Sequence, residues 1–379
     1  MMRVAHFGKY AFLGIGGTER HVVDLTTALA ARGVDVTVFA YDRSGRAEPR
    51  VVSGVRVEPV AARVTAASLS FAPALVTRGR GIARAKRFDI VHQHWPDPFA
   101  HAAASMATGK PAHVVTWHMD IVRQRVLGTL YRGIARSFFF RPDAIVAATS
   151  AHLRSAQLNW FGPAERRHVI PFGIDVRPFE KNEQLLRSAS EMKARYGGGP
   201  LVFALGRHVY YKGFEVLIRA MARVPATLLL GGEGPLTPKL REFAASSGAR
   251  VEFVGRIPDR ELPVYYHACD VFGFPSVAQT EAFGLVQAEA MACGKPVVNT
   301  ALGNGVNELA PHDVCALTVD PGDEGALANA LCRVLSEAGL ASRLGVAGRR
   351  RVLGTYTIDA MVNGTLELYG KVIRDRDQR

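Results

Sequence analysis

Short apolar runs of four to seven residues punctuate this chain almost from end to end, and most are followed by a stretch whose apolar residues recur every three or four positions. The runs from Arg3 to Phe7, Val34 to Ala40, Val55 to Pro59, Asp89 to His94, His113 to Trp117 and Ala144 to Ala148 read as strands, and the stretches between them as helices. Strands separated by helices can pair side by side only if each helix carries the chain back over the sheet. The pattern therefore dictates a parallel sheet with crossover helices. Residues 176–199 are polar and end in three glycines, and the alternation then restarts with Leu201 to Leu205, Leu228 to Gly234, Val251 to Gly255, Asp270 to Pro275 and Pro296 to Asn299. The expected fold class is α/β, with one parallel-sheet domain over 1–175, a linker over 176–199 and a second domain over 200–356. A length of 379 residues suits two domains of ordinary size.

In such sheets ligands gather at the carboxyl ends of the strands. Those ends carry His94-Trp95-Pro96-Asp97 and Trp117-His118-Met119-Asp120 in the first half. The first strand runs into a glycine loop with Gly14, Gly16 and Gly17, then a helix with Val22, Val23, Leu25 and Leu29. The loop lacks the third glycine of a dinucleotide fingerprint, where Glu19 stands instead, which argues against hydride transfer. It still offers backbone N–H groups to a phosphate; a plain tight turn is the alternative. His92, His94 and His101 raise the question of a metal, but no H-E-x-x-H pattern accompanies them and no metal site is read.

In the second half, Gly206-Arg207 closes one strand and Lys212-Gly213 opens the next helix, so two cations stand where a diphosphate could be held. Further on, Glu281 and Glu289 are eight residues apart. The reading is a loop from Gln279 to Gly284, then a helix ending at Cys293-Gly294 with Gly294 as its cap. The free N–H groups at that helix start can hold an anion, with a carboxylate on either side for hydroxyl groups. Two solvated surface glutamates are the plainer alternative.

Charge is divided unevenly. Residues 1–170 carry 23 Lys and Arg against 11 Asp and Glu, whereas residues 171–379 carry 24 against 23. Nearly all of the net +13 thus belongs to the first half, which points to an anionic partner for that domain. The basic residues concentrate in Thr77 to Arg87 and Arg123 to Arg141. The second of these could lie on an anionic membrane or pack on the sheet with its arginines solvated. No nucleic-acid-binding motif is visible. The four cysteines show no C-x-x-C spacing and read as buried residues of a reducing compartment. No apolar run is long enough to span a bilayer, and the start, MMRVAHFGKYAFLG, reads as mature protein without a cleavable leader.

The segment TEAFGLVQAEAMACGKPVV, with Glu281 and Glu289, resembles the E-x7-E motif of retaining glycosyltransferases of family 4, which have the GT-B fold. GRHVYYKG at 206–213 resembles the donor motif of that family, GIGGTERHV its glycine loop, TWHMD its segment beside the reacting sugar, and VIPFGID its hinge. The resemblance implies two Rossmann-like domains facing across a cleft, with a helix over 357–379 crossing back to the first. It implies a donor site of Gly16, Gly17, Gly206, Arg207, Lys212, Ile257, Glu281, Ala282, Phe283, Gly284, Leu285 and Glu289. Glu281 would meet the sugar hydroxyls and Glu289 the ribose, while Arg207 and Lys212 offset charge on the leaving diphosphate. His118 would lie beside the sugar, and Glu19, Arg20, His94, Trp117 and Asp120 would serve the acceptor. No cofactor and no metal are expected, no nucleophile is assigned, and attack would come from the leaving-group face with the donor phosphate helping to take the acceptor proton.

The closest resemblance is to bacterial mannosyl- or related hexosyltransferases of surface polysaccharide assembly. That implies GDP-mannose or a UDP-hexose as donor and a lipid-linked or other anionic glycan as acceptor. The protein would then work in the cytoplasm, with a peripheral contact at the inner face of the membrane. A nucleotide-sugar epimerase, a phosphorylase and a catalytically silent nucleotide-sugar sensor share enough architecture to stand as alternatives.

Overall fold

The computed structural model describes residues 1–12, 17–64, 70–85, 88–107, 111–118, 142–154 and 163–378. The chain forms two compact units, Met1–Gly173 with Ile358–Arg379, and Ile174–Thr357.

The sheet of the first unit runs, edge to edge, Arg167–Val169, Ala144–Ala147, Ala112–Trp117, Ile90–Trp95, Arg3–Phe7, Asp35–Asp42, Val55–Ala61 and Arg50–Val52. All neighbours are parallel except the last pair, a hairpin. Side chains alternate between the two faces of a strand, so two cores form. On one face Val4, Ile90, Ala112 and Val114 pack with Val22, Leu25 and Leu29 of the helix Gly17–Ala31, and with Met361, Leu368 and Tyr369 of the helix Ile358–Asp377. On the other, Ala5, Phe7 and Val91 pack with Leu75, Ala100 and Ala103. The closing helix is thus part of the first unit's core, and Arg32–Asp359 and Arg376–Asp143 ion pairs tie its two ends to that unit.

The second unit holds six parallel strands in the order Val251–Gly255, Thr227–Gly231, Leu201–Leu205, Val271–Phe274, Val297–Thr300 and Ala316–Val319. Its sequence reverses direction across the sheet between Leu201–Leu205 and Val271–Phe274, and such a switch point is where ligands bind in open α/β sheets.

One local reading changes. Residues 176–199, polar enough to pass for a linker, contain the helix Glu183–Arg195, capped by Asn182 and held to the unit through Lys193 and Asp270 at 2.6 Å. The helix after Ala144–Ala147 is capped by Thr149, whose side chain accepts from the His152 N–H, and is Ser150–Leu153 within the described residues. The basic stretch at 123–141 lies outside the described residues. Among the described residues no helix is long and apolar enough to cross a membrane.

Candidate active site

In the second unit the donor motifs converge. Gly213 has φ +66, and a Cβ there would lie 2.0 Å from the Pro275 carbonyl oxygen. Only glycine lets the Lys212 turn press against the loop that carries Glu281. That contact brings the Lys212 Nζ onto Glu281 Oε2 as an ion pair with side chains 12% and 11% exposed. Ser276 Oγ donates to the same carboxylate oxygen at 3.4 Å, and Asn304 Nδ2 donates to the Glu281 carbonyl at 2.8 Å, fixing the loop from behind.

Gly284, with φ +77, starts the helix Leu285–Ala292, and no side chain caps that start. Its first N–H groups are therefore open to an anion. A Cβ on Gly284 would meet Phe274 at 2.8 Å, so the turn seats itself on the strand below. Phe283 is buried against Tyr356, which leaves its backbone, not its ring, for a ligand. Glu289, on the helix, accepts from Tyr266 Oη at 2.6 Å. Burial and then the Glu289 charge hold the Tyr266 phenol protonated, so it is a fixed donor to that carboxylate. Arg207 is exposed and carries no side-chain hydrogen bond or ion pair among the described residues. Gly206 N–H donates to Gly231 at 3.2 Å, and Ile257 packs nearly buried beneath Gly231. Ala282 and Leu285 are half-buried.

His208 went unnoticed in the sequence. It is buried next to Arg207, with Nδ1 on Thr237 Oγ1 at 2.8 Å while the same hydroxyl accepts from Gly234 N–H at 2.9 Å. The H-x-x-x-K spacing carries no signal of that bond, since Thr237 arrives from another strand–helix turn.

The first unit gathers histidines on the helix-covered face of its sheet. Along the strands, apolar residues give way at the carboxyl ends to His6, His92, His94, Thr116 and His118, all buried, and His21 joins them from the helix Gly17–Ala31. His94 Nδ1 lies 3.0 Å from His118 Nε2, and His6 Nδ1 lies 3.2 Å from His94 Nε2. Among the described residues neither His21 ring nitrogen has a partner. Burial holds all of these rings neutral, His6 and His21 at about 3 and His92, His94 and His118 well below the ordinary histidine value. His21, His94 and His118 each offer a nitrogen, all within 4.8 Å of one another, so these three could hold a metal ion. The trio weighed from sequence was a different one, because His101 packs beside Trp95 on the opposite face.

The remaining acceptor candidates separate. Glu19 is half-buried and Arg20 exposed, the latter paired with Asp24 at 3.1 Å, and Gly17 is exposed at the helix start. Trp117 is fully buried and stacked on Trp95 at 5.1 Å, its position in the strand turning it away from His118. Asp97, at the same strand end as His94, caps the helix Pro98–Met106 and accepts from Tyr41 at 2.8 Å. Gly16 and Asp120 lie outside the described residues.

Solved structures share this architecture. A sucrose-phosphate synthase from Thermosynechococcus elongatus superposes with a TM-score of 0.76 over 99% of this chain and 100% of that one, at 24% identity. The Anabaena protein HepE, solved with UDP-glucose, gives 0.78 over 98% and 100%, at 20% identity. The fold and its paired donor motifs define a GT-B glycosyltransferase. Residues 15–177 match the model of Glycosyltransferase Family 4, and 199–337 that of Glycosyl transferases group 1. The chain belongs to glycosyltransferase family 4. Its relatives include the O-antigen chain mannosyltransferase C of Escherichia coli, 27% identical over 99% of this chain and 100% of that protein. The D-rhamnosyltransferase WbpZ of Pseudomonas aeruginosa is 30% identical over 87% and 86%.

Proposed function

We propose that this glycosyltransferase moves a hexose, mannose from GDP-mannose in the first instance, to a lipid-linked or other glycan acceptor of cell-surface polysaccharide, with retention at the anomeric carbon. The observation that carries the donor side is the Lys212–Glu281 pair beside an uncapped helix start. A diphosphate arriving there meets a cation already desolvated and N–H groups already aimed. Arg207, unengaged at the surface, adds a second positive charge. Together they stabilise charge that grows on the leaving nucleotide as the sugar departs. Glu281, released from Lys212 as the phosphates take its place, accepts from sugar hydroxyls, and Glu289, held by Tyr266, accepts from the ribose. Two side-chain cations and a helix start supply the positive charge a metal would bring, so turnover needs no metal. The names of the E. coli and Pseudomonas relatives support the choice of sugar and of polysaccharide synthesis.

The test is a thermal-shift panel with GDP, UDP, ADP and their sugar conjugates. A site filled at a hundred times its dissociation constant stabilises by about 2.7 kcal/mol. A shift with GDP and GDP-mannose supports the reading; one with UDP alone replaces the donor by a UDP-hexose; none with any nucleotide sinks it. Proton NMR of the product reads the anomeric outcome, and EDTA should leave the rate unchanged. The basic first half suits an anionic acceptor at a membrane face, and liposome sedimentation indifferent to anionic lipid would count against that part.

A further inference from the structure

The first unit's histidines form a continuous chain. From His118 Nε2 it passes to His94 Nδ1 at 3.0 Å, from His94 Nε2 to His6 Nδ1 at 3.2 Å, and from His6 Nε2 to the Tyr369 hydroxyl at 3.4 Å. From Tyr369 it goes to His92 Nδ1 at 2.5 Å and from His92 Nε2 to Thr116 Oγ1 at 2.7 Å. Every member is buried. A neutral imidazole has one N–H and one lone pair, and a hydroxyl oxygen can accept twice, so the chain permits three arrangements: every hydrogen pointing one way, every hydrogen pointing the other, or both ring neighbours donating to Tyr369.

They are not equal. If the hydrogens run from His118 toward Thr116, the Thr116 hydroxyl accepts, and its own hydrogen has no acceptor among the described residues; an orphaned buried donor is costly. If both neighbours donate to Tyr369, the phenol hydrogen is orphaned in the same way. If the hydrogens run from Thr116 toward His118, both hydroxyls donate and every ring nitrogen inside the chain has its partner. The His118 end tolerates either, since its Nδ1 is not among the sealed, unpartnered atoms and the residue keeps 4% of its surface accessible. The arrangement running from Thr116 wins. It puts an acceptor at His118 Nε2 and the hydrogen on Nδ1.

We propose that Thr116, His92, Tyr369, His6 and His94 are positioning residues that lock His118 in its Nδ1–H tautomer, so that His118 meets a substrate hydroxyl or oxyanion as a hydrogen-bond donor and not as a base. The chain ends on a threonine, which does not ionise at neutral pH, so it orients His118 without carrying a proton away. This rests on the reading that His118 faces the transferred sugar. Metal binding by His21, His94 and His118 would instead engage one lone pair of each ring.

The test reads the tautomer directly, by long-range proton–nitrogen NMR of the full chain labelled with 15N-histidine, the His118 signals being assigned with His118→Asn. Wild type should show His118 protonated at Nδ1. Tyr369→Phe and Thr116→Val should each yield a tautomer mixture and lower kcat/KM about tenfold, the factor equivalent to one hydrogen bond. Thr116→Ser, which keeps the hydroxyl, should restore both signature and rate. An Nε2–H tautomer in wild type, a tautomer indifferent to both Tyr369→Phe and Thr116→Val, or a cobalt ion taken up with the visible spectrum of a histidine-bound site would overturn the lock. Should no donor be turned over while the tautomer responds as expected, the lock stands and the transferase reading falls.

Discussion

Lys212 and Glu281 show how one residue's partner changes its task. In the donor-free protein each neutralises the other, away from most water. Removing one side of such a pair leaves a buried charge, typically at a cost of about 3–5 kcal/mol. Glu281→Ala should therefore melt lower than wild type and lose about a hundredfold in kcat. Saturating nucleoside diphosphate should recover more melting temperature in the variant than in wild type, because the phosphates supply the missing anion. An equal recovery in both proteins would show that the phosphates do not reach Lys212. Tyr266→Phe removes the phenol's hydrogen bond to the Glu289 carboxylate. It should raise KM for the donor a few-fold and leave kcat close to wild type, as expected for lost uniform binding; steady-state kinetics with varied donor decide.

At the scale of elements, the turns matter more than the helices they start. Gly213→Ala demands both a left-handed φ of +66 and room that the Pro275 carbonyl already fills. It should cost about 1–3 kcal/mol from the backbone alone, and more from the forced separation of the Lys212 and Glu281 loops; urea unfolding measures the first and donor affinity the second. Much of this level was legible in the sequence. The helix read after Gly284 is Leu285–Ala292; its C-cap is Cys293, and Gly294, with φ +72, follows it in the left-handed turn that closes the helix. The strand read from Asp89 to His94 is Ile90–Trp95. Two things were not legible. The helix Glu183–Arg195 has only one fully buried residue, Ala189, too narrow an apolar stripe to stand out. The histidine chain needs Tyr369 from the far end of the sequence, and no local period reports a contact 277 residues away. Part of its strand half was visible, since His92 and His94 were raised with His101 as a metal question and His94 at a strand end, without their neighbours being named.

For the whole molecule, the neutral histidines make acid the first unit's weakness. His6, His21 and His101 sit at about 3 and His113 at about 4 in the folded chain, chiefly through burial, against about 6.5 once unfolded. Below the unfolded value the unfolded chain binds protons that the folded one refuses. Stability from this source is intact above about pH 6.5 and falls progressively as the pH drops toward the folded values. The three tryptophans, Trp95, Trp117 and Trp160, all belong to residues 1–173, so their fluorescence should show a urea midpoint that drops between pH 7 and pH 5. A midpoint constant over that range would contradict the burial of the uncharged rings.

The helix Ile358–Asp377 supplies Tyr369 and Leu368 to a core whose other walls lie within the first 173 residues. On the ribosome, the half made first therefore cannot be finished first. The Ile174–Thr357 unit can close on itself as it emerges, while the earlier half waits, one sheet face only partly covered, for the helix Ile358–Asp377 to follow. A stop directly after residue 357 would leave the second unit entire and strand the first one incomplete, so nascent chains of this protein depend on a late helix to protect residues made long before it.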